Sequence, residues 1–163
     1  MLREFQTATL IAATLTTGLS AGLYYGFACA VMPGLRRSGE RTFVETMQRI
    51  NTAIINGWFM LLFVGSLVLT AAAAALQLVG EGGTAAAWTV AAFVLYTAVL
   101  IITMRFNVPL NNQLDAGGSP DSTTELAALR AQFERPWVRW NVVRAACNTA
   151  AFACLAYALV RQP

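Results

Sequence analysis

The chain has 163 residues, of which 57% are hydrophobic and only 12% are charged, about half the charged share of an ordinary soluble domain. This composition excludes an intrinsically disordered chain, and three cysteines are too few for a disulfide-rich scaffold. The sequence has no histidine and no lysine, which excludes histidine-ligated haem or zinc, a Ser-His-Asp triad, a lysine Schiff base and a Walker-type phosphate loop.

Three long stretches without charge predict three membrane-spanning helices. The charge-free stretches cover 5–35, 50–80 and 82–104. Each exceeds the roughly 20 mostly apolar residues that one spanning helix needs. The predicted spans are about 6–31, 55–79 and 85–104. We expect the first span to be retained, because its apolar stretch is longer than that of a typical signal peptide.

The last charge-free stretch predicts a fourth span that contains an arginine. The stretch between Arg144 and Arg161 has only 16 residues. A helix of that length covers roughly 24 Å, short of the ~30 Å hydrocarbon core. The fourth span is therefore predicted at about 137–160, with Arg144 at least partly inside the membrane. The predicted fold is an all-α membrane protein, a bundle of four transmembrane helices that forms one domain over residues 1–163.

The distribution of the arginines predicts the orientation, because cytoplasmic loops carry an excess of positive charge. One side of the membrane receives only Arg3 and Arg161. The connections 32–54 and 105–136 bring the others to the opposite side: Arg36, Arg37, Arg41, Arg49, Arg105, Arg130, Arg135 and, at its edge, Arg139. We expect a multi-pass protein of the plasma (inner) membrane with both connections in the cytoplasm. The net charge of +3 then reflects topology and not nucleic-acid binding.

Each connection is also predicted to contain an amphipathic helix on the cytoplasmic side. Met32-Pro33-Gly34 is expected to end the first helix, since proline and glycine cannot continue it cheaply. Residues 40–52 follow, with Phe43, Met47 and Ile50 at i, i+4 and i+7. This segment predicts a helix that runs nearly straight into the second span.

The second connection repeats this order. Pro109 is expected to break the chain just after Arg105, and residues 122–125 have the spacing of a capping box. An amphipathic helix is predicted over about 122–135, closed by Pro136. The two halves of the chain therefore look like a weak parallel repeat of two helical hairpins.

Polar side chains within the spans are the main candidates for a functional site. On the fourth helix, one stripe contains Trp137, Asn141, Arg144 and Asn148. Buried arginine and asparagine are costly in hydrocarbon unless they face protein or a wet cavity. The stripe predicts a polar pocket at the cytoplasmic end of the bundle. The alternative is that Arg144 snorkels to the headgroups and that the asparagines join neighbouring helices.

Other polar and aromatic residues stand near the ends of the spans. Gln48, Asn51 and Asn56 precede the second span, and Asn107 and Asn111 flank Pro109. Helix capping, interhelical hydrogen bonds and turn chemistry explain them as well as a pocket does. An interfacial aromatic belt is the alternative explanation for Tyr24, Tyr25, Trp58, Trp137 and Trp140. Among the carboxylates, Glu45 and Glu134 are expected to approach the pocket most closely.

Several blocks of the sequence together resemble one known family. The blocks are Gly22 to Phe27 leading into Val31 to Leu35, Phe43 to Asn51 with Ile55-Asn56, Phe106 to Asn111, and Trp137 to Arg144. Over nearly the whole chain, they look like the anthrone oxygenases, a family of small four-helix membrane proteins. The resemblance implies oxidation of anthrones to anthraquinones by molecular oxygen, without a recognised cofactor. It does not bring a settled set of catalytic residues.

The chemistry that the resemblance implies suits the candidate residues. Arg144, Asn141 and Asn107 would stabilise an oxyanion, with Glu45, a tyrosinate or the substrate's own phenolate as the base. Trp137, Trp140 and Tyr25 would sandwich a flat aromatic substrate that enters from the lipid. Further substrate contacts are expected from Gln48, Asn51, Asn56 and Asn111.

Two other classes of function remain open from the sequence. A four-helix bundle with a polar end could bind a lipid, a quinone or a partner subunit without catalysis. A redox protein with haem or copper bound through Cys or Met is the other class. No metal or cofactor is expected for the oxygenase, and assembly into a homo-oligomer is left open.

Overall fold

The computed structural model describes residues 1–80, 83–120 and 125–162. Within these ranges the chain is helical and contains no strand. Four helices are long and apolar enough to cross a membrane, which fits a multi-pass membrane protein. They are α1 (Leu2–Arg36), α3 (Gly57–Val79), α4 (Gly83–Ala116) and α5 (Leu126–Val160). A shorter helix, α2 (Glu40–Ala53), stands between the first two.

The four long helices form a bundle in which α1 and α4 each pack against both α3 and α5. The middle of the bundle is lined by small or medium-sized apolar residues, among them Leu10, Ala13, Ala73, Ala92 and Leu155. Small side chains let helix backbones approach closely, which is how transmembrane helices associate. Tyr96 fills this core and donates to the carbonyl oxygens of Leu62 and Phe63, at 2.9 and 3.0 Å.

The prediction that Pro33 and Pro109 end their helices is wrong. A π-helical segment precedes each proline, Phe27–Val31 in α1 and Thr103–Asn107 in α4. In these segments the Met32 N–H donates to the Phe27 carbonyl, and the Val108 N–H donates to the Thr103 carbonyl. The extra residue per turn makes room for the proline ring, which would otherwise clash with the carbonyl four residues back. Both helices therefore continue beyond the predicted spans.

The prediction that Pro136 closes a separate helix is also wrong, because α5 runs through it without a break. Phe133 and Trp137, on either side of the proline, are both buried on the inner face of α5. Their packing offsets the cost of the hydrogen bond that proline cannot donate. The predicted capping box lies mostly at 122–124, outside the described residues.

The helix α2 does not run straight into the second span. The chain leaves helical geometry at 54–56, and Asn56 caps α3 by accepting from the Phe59 N–H at 3.0 Å. The buried face of α2 consists of Phe43, Val44, Met47 and Asn51. It packs against one end of the bundle, the α2 end, where Leu114, Phe133 and Trp137 complete an apolar cluster. α1 and α4 thus share a π segment before a proline. The segments that follow them differ, because α2 is a separate helix whereas α5 is continuous through Pro136.

A close approach of α1 and α5 depends on a glycine. A Cβ added at Gly18 would lie 2.9 Å from Cε2 of Phe152, whereas one added at Gly22 would meet nothing within 4 Å. We expect Gly18→Leu to lower the free energy of unfolding in detergent by about 1–3 kcal/mol through overpacking. The matched change Gly22→Leu is expected to raise it by up to about 1 kcal/mol, since glycine is a poor helix former. Equal effects of the two changes would contradict a contact at Gly18.

Candidate functional site

A cavity lies at the α2 end of the bundle and is lined by all five helices. The volume that the centre of a water molecule can occupy inside the cavity is about 140 Å³. The whole empty space, including the open mouth, is about 780 Å³. One buried water needs only ~10–15 Å³ of the volume that is open to its centre. The cavity therefore has room for a small organic molecule and is not a packing defect.

The lining of the cavity is mostly apolar, with a few polar groups. The apolar part comprises Leu23, Phe27, Met47, Ile50, Ile54, Ile55, Phe59, Phe63, Val108 and Trp137. The polar part comprises Tyr24, Asn51, Thr103, Asn111, Asn112, Asp115 and Arg144. Arg144 is the only cation and Asp115 the only carboxylate among these lining residues.

Arg144 lies at the inner end of the cavity and is only 7% exposed. Its Nε and Nη2 donate to Oδ1 of Asn141 at 3.1 and 3.0 Å, and its Nη1 donates to the Thr103 hydroxyl at 3.3 Å. The guanidinium carbon lies 4.3 Å from the centre of the Tyr24 ring and 5.3 Å from the Trp137 ring. Aromatic faces and neutral acceptors therefore surround this cation.

Within the described residues, Arg144 makes no ion pair with a carboxylate. A buried charge without a counter-charge is costly, and in proteins such charges are nearly always paired. The guanidinium borders the cavity, so a ligand there can supply the missing negative charge. The site is thus suited to a flat apolar molecule that carries or develops an oxyanion.

Asn141 holds the arginine in this position. Its Oδ1 accepts from Arg144, while its Nδ2 donates to the backbone carbonyl of Tyr24 at 3.2 Å, which fixes the amide orientation. Asn141 is fully buried behind the guanidinium. It acts on the cavity through Arg144 and does not line the cavity itself.

Trp137 forms a wall of the cavity and is held from two sides. Its indole Nε1 donates to Oδ1 of Asn111 at 2.7 Å, and its backbone carbonyl accepts from Nδ2 of Asn107 at 3.3 Å. Its ring lies 5.6 Å from that of Phe27 and 5.9 Å from that of Phe133. Both asparagines come from the π segment of α4 or the turn after it, so the helix distortion at Pro109 places them against α5.

Deeper in the bundle, polar groups continue beyond Arg144. Nδ2 of Asn148 donates to the Ser20 hydroxyl at 2.9 Å, and this hydroxyl lies 3.5 Å from that of Tyr96. The Tyr24 hydroxyl has Ser20 and Thr103 as neighbours but forms no hydrogen bond of normal geometry with described residues. Asn148 therefore joins α5 to α1, as in the alternative that the asparagines join neighbouring helices, and does not line the cavity.

The structure brings together only part of the set that the sequence predicted. Arg144, Trp137, Asn51 and Asn111 line the cavity, and Asn141 and Asn107 stand directly behind it. The amide of Asn51 donates to Oδ1 of Asp115 at 3.2 Å, which links α2 to α4 at the mouth.

The other predicted residues lie elsewhere. Glu45 is on the outer face of α2 and pairs with Arg49 at 2.7 Å, and Gln48 donates to the carbonyls of Leu114 and Gly118 at 3.0 Å. Asn56 is a helix cap. The Trp140 ring stacks on Phe106 at 3.7 Å, outside the cavity.

Two more predicted residues, Tyr25 and Glu134, lie away from the cavity. Tyr25 is 62% exposed on the outside of the bundle, and its neighbour Tyr24 lines the cavity instead. Glu134 does not approach the cavity; it pairs with Arg36 at 3.1 Å and with Arg130 at 2.8 Å. The sequence could not decide between Tyr24 and Tyr25, because it does not show which face of α1 meets the buried stripe from Trp137 to Arg144 on α5.

Sequence reasoning missed Phe27, Phe59 and Phe63 as cavity walls. Nothing in their local sequence distinguishes these phenylalanines from ordinary core or lipid-facing residues. The described residues contain no group of three or more His, Cys, Asp or Glu side chains that could hold a metal ion.

The sequence profile of the anthrone oxygenase family matches residues 59–154, more than half of the chain. The chain belongs to the anthrone oxygenase family. Comparisons with curated proteins and with solved structures find no match. In this anthrone oxygenase family member, the matched region covers α3, α4 and most of α5, and so includes Arg144, Asn141, Trp137 and Asn111.

Proposed function

We propose that this protein is an oxygenase that uses O₂ to oxidise an anthrone-like polycyclic aromatic ketone to a quinone, without a cofactor. The observation that carries the proposal is Arg144, a buried cation without a carboxylate partner among the described residues, at the inner end of a cavity with aromatic walls. Family membership supports an oxygenase-like function. The anthrone-like substrate and its oxidation come from the family resemblance, and the roles of the residues are our inference from the cavity.

The residues fit the charge that this reaction develops. An anthrone has a methylene group opposite its carbonyl across the central ring. Loss of one methylene proton gives an oxyanion whose charge is spread over the rings. Arg144 would bind the oxygen of this anion, and a water-poor site makes such a charge interaction stronger than in bulk water. Trp137 and Phe27, whose rings contact each other at 5.6 Å, would form one aromatic wall against the ring system.

The oxidation then needs only O₂. The anion gives one electron to O₂, and the carbon radical and superoxide combine to a peroxide anion. This anion takes back the proton held by the base, and loss of water from the hydroperoxide leaves the second carbonyl. One anthrone and one O₂ give one anthraquinone and one water. The protein contributes by forming the anion and by shielding it, which are the roles of base, oxyanion donor and apolar slot.

Geometry narrows the choice of proton acceptor. Glu45 lies outside the cavity. Asp115 lies 12 residues along α4 from Thr103, the hydroxyl that contacts Arg144, or about 18 Å at 1.5 Å per residue. That separation is too large for a proton on a ring whose oxygen rests on Arg144. The remaining acceptors are Tyr24, whose ring lies under the guanidinium, and the phenolate of the substrate itself.

The setting of the reaction is part of the proposal. The arginines gathered at the α2 end favour a plasma (inner) membrane protein whose α2 end lies in the cytoplasm. Its partners would be an apolar aromatic molecule and O₂, and the protomer could act alone or in a homo-oligomer.

Oxygen uptake by detergent-purified protein supplied with an anthrone tests the function. We expect uptake above protein-free autoxidation, with one quinone formed for each O₂ consumed. Asn141→Ala should lower the rate about tenfold, because the guanidinium loses a charged hydrogen bond worth about 1.5–3 kcal/mol that fixes its position. Uptake equal to autoxidation by folded wild-type protein would overturn the proposal and leave lipid, quinone or partner binding as the function to test.

A further inference from the structure

The mouth of the cavity has two unlike edges. On one edge lie the polar residues Asn112 and Asp115, both exposed at the end of α4. On the other edge lie Ile54, Ile55 and Phe59, where α2 ends and α3 begins. The hydrogen bond from Asn51 to Asp115, at 3.2 Å, closes part of the polar edge.

The apolar edge is exposed to the surroundings of the bundle. Ile55 lines the cavity and is nevertheless 75% exposed, and Trp58, one turn further, is 80% exposed. This is where the transmembrane helix α3 starts, and tryptophan is typical of the membrane–water interface. The outer side of the edge therefore meets the boundary between headgroups and acyl chains.

At this edge, Ile54 and Ile55 lie outside both helices, whereas Phe59 belongs to α3. Residues 54–56 lie between α2 and α3, and the N–H of Asn56 donates to the Ile54 carbonyl in a tight turn, at 2.9 Å. A short connection between two helices can absorb small changes in backbone angle more easily than a helix interior, as hinge residues do. The edge can therefore widen without breaking the helical bundle.

We infer that Ile54, Ile55 and Phe59 form a lateral portal through which an apolar ring system passes between the bilayer interface and the cavity. The inference rests on the proposed function for the class of ligand. A flat aromatic molecule dissolves in lipid, so this path spares it the transfer into water. The polar edge with Asn51 and Asp115 remains a separate opening toward water. The path of the ligand from the portal ends at Arg144.

A portal residue has a kinetic signature that a binding residue lacks. It acts mainly on the barrier and so changes the association and dissociation rate constants in the same direction, whereas loss of a binding contact mainly raises the dissociation rate constant. The probe is a dihydroxyanthraquinone dye that quenches tryptophan fluorescence, mixed by stopped flow with protein in lipid nanodiscs. We expect Ile55→Trp to slow both rate constants on the order of tenfold. Ile55→Ala should speed both.

The matched control is Leu15→Trp, on α1, whose side chain is exposed on the bundle surface and does not line the cavity. This variant should keep both rate constants.

The outcomes separate the portal from the proposed function. Unchanged rate constants in both Ile55 variants, with normal dye binding by the wild type, would overturn the portal alone. Failure of folded wild-type protein to bind the dye, together with oxygen uptake equal to autoxidation, would overturn the proposed function and the portal with it.

Discussion

Arg144→Met is expected to lower the rate of anthrone oxidation by about 10²–10³-fold, the usual cost of removing one oxyanion donor. Among the described residues that line the cavity, Arg144 is the only cation, so no neighbour takes over its charge. Steady-state oxygen uptake over a range of anthrone concentrations measures the effect. The loss should fall on kcat more than on KM, because the oxyanion exists in the transition state and not in the ground state.

The same variant should remain folded. Methionine fills a similar volume, and removing a buried cation without a counter-charge releases a desolvation cost that offsets the hydrogen bonds lost at Asn141. Thermal unfolding in the same detergent should shift by only a few degrees. Arg139→Met, an exposed arginine that precedes Arg144 by five positions, is the control and should keep the wild-type rate. Full activity of Arg144→Met would contradict the proposed oxyanion site.

Trp137→Ala is expected to lower the free energy of unfolding by about 3–5 kcal/mol, the range for removing a large buried aromatic side chain. Trp137 is only 3% exposed and contacts the rings of Phe27 and Phe133. Its removal also leaves Oδ1 of Asn111 without its 2.7 Å hydrogen bond. Unfolding in mixed micelles of increasing denaturing detergent measures the change.

Two further variants separate packing from hydrogen bonding at this position. Trp137→Phe keeps a ring but loses the indole N–H, and should cost about 1 kcal/mol beyond the reduced contact area. Trp58→Ala, at a tryptophan that is 80% exposed, should stay within about 0.5 kcal/mol of the wild type, as surface changes do. A similar loss in Trp137→Ala and Trp58→Ala would show that the cavity wall does not contribute to stability.

The number of membrane-crossing helices followed from length and charge alone. A bilayer excludes charged side chains and requires a minimum helix length, so charge-free stretches reveal spans without knowledge of their packing. The stripe on the fourth helix followed in the same way from helical periodicity, and Trp137, Asn141, Arg144 and Asn148 are all buried. The family resemblance was also present in the sequence, and the family profile confirms it.

The ends of the helices could not be obtained from local rules. Proline normally stops a helix, but Pro33 and Pro109 are accommodated by π segments and Pro136 by the burial of its neighbours. In each case the helix continues despite a local cost of about 3 kcal/mol. The sequence shows the cost of a helical proline but not the contacts that offset it.

The membership of the site was likewise decided by tertiary structure. Periodicity identifies which residues share a face of one helix, but not which faces of five helices meet. Tyr24 and not Tyr25 reaches the cavity because the buried face of α1 is fixed by packing against α3 and α5. Asn51 and Asn111 meet the cavity, whereas Asn56 caps a helix, because α2 ends three residues before it. The sequence determined the helices and the unusual buried arginine; only the assembled bundle determined what surrounds that arginine, because those contacts join residues far apart in the chain.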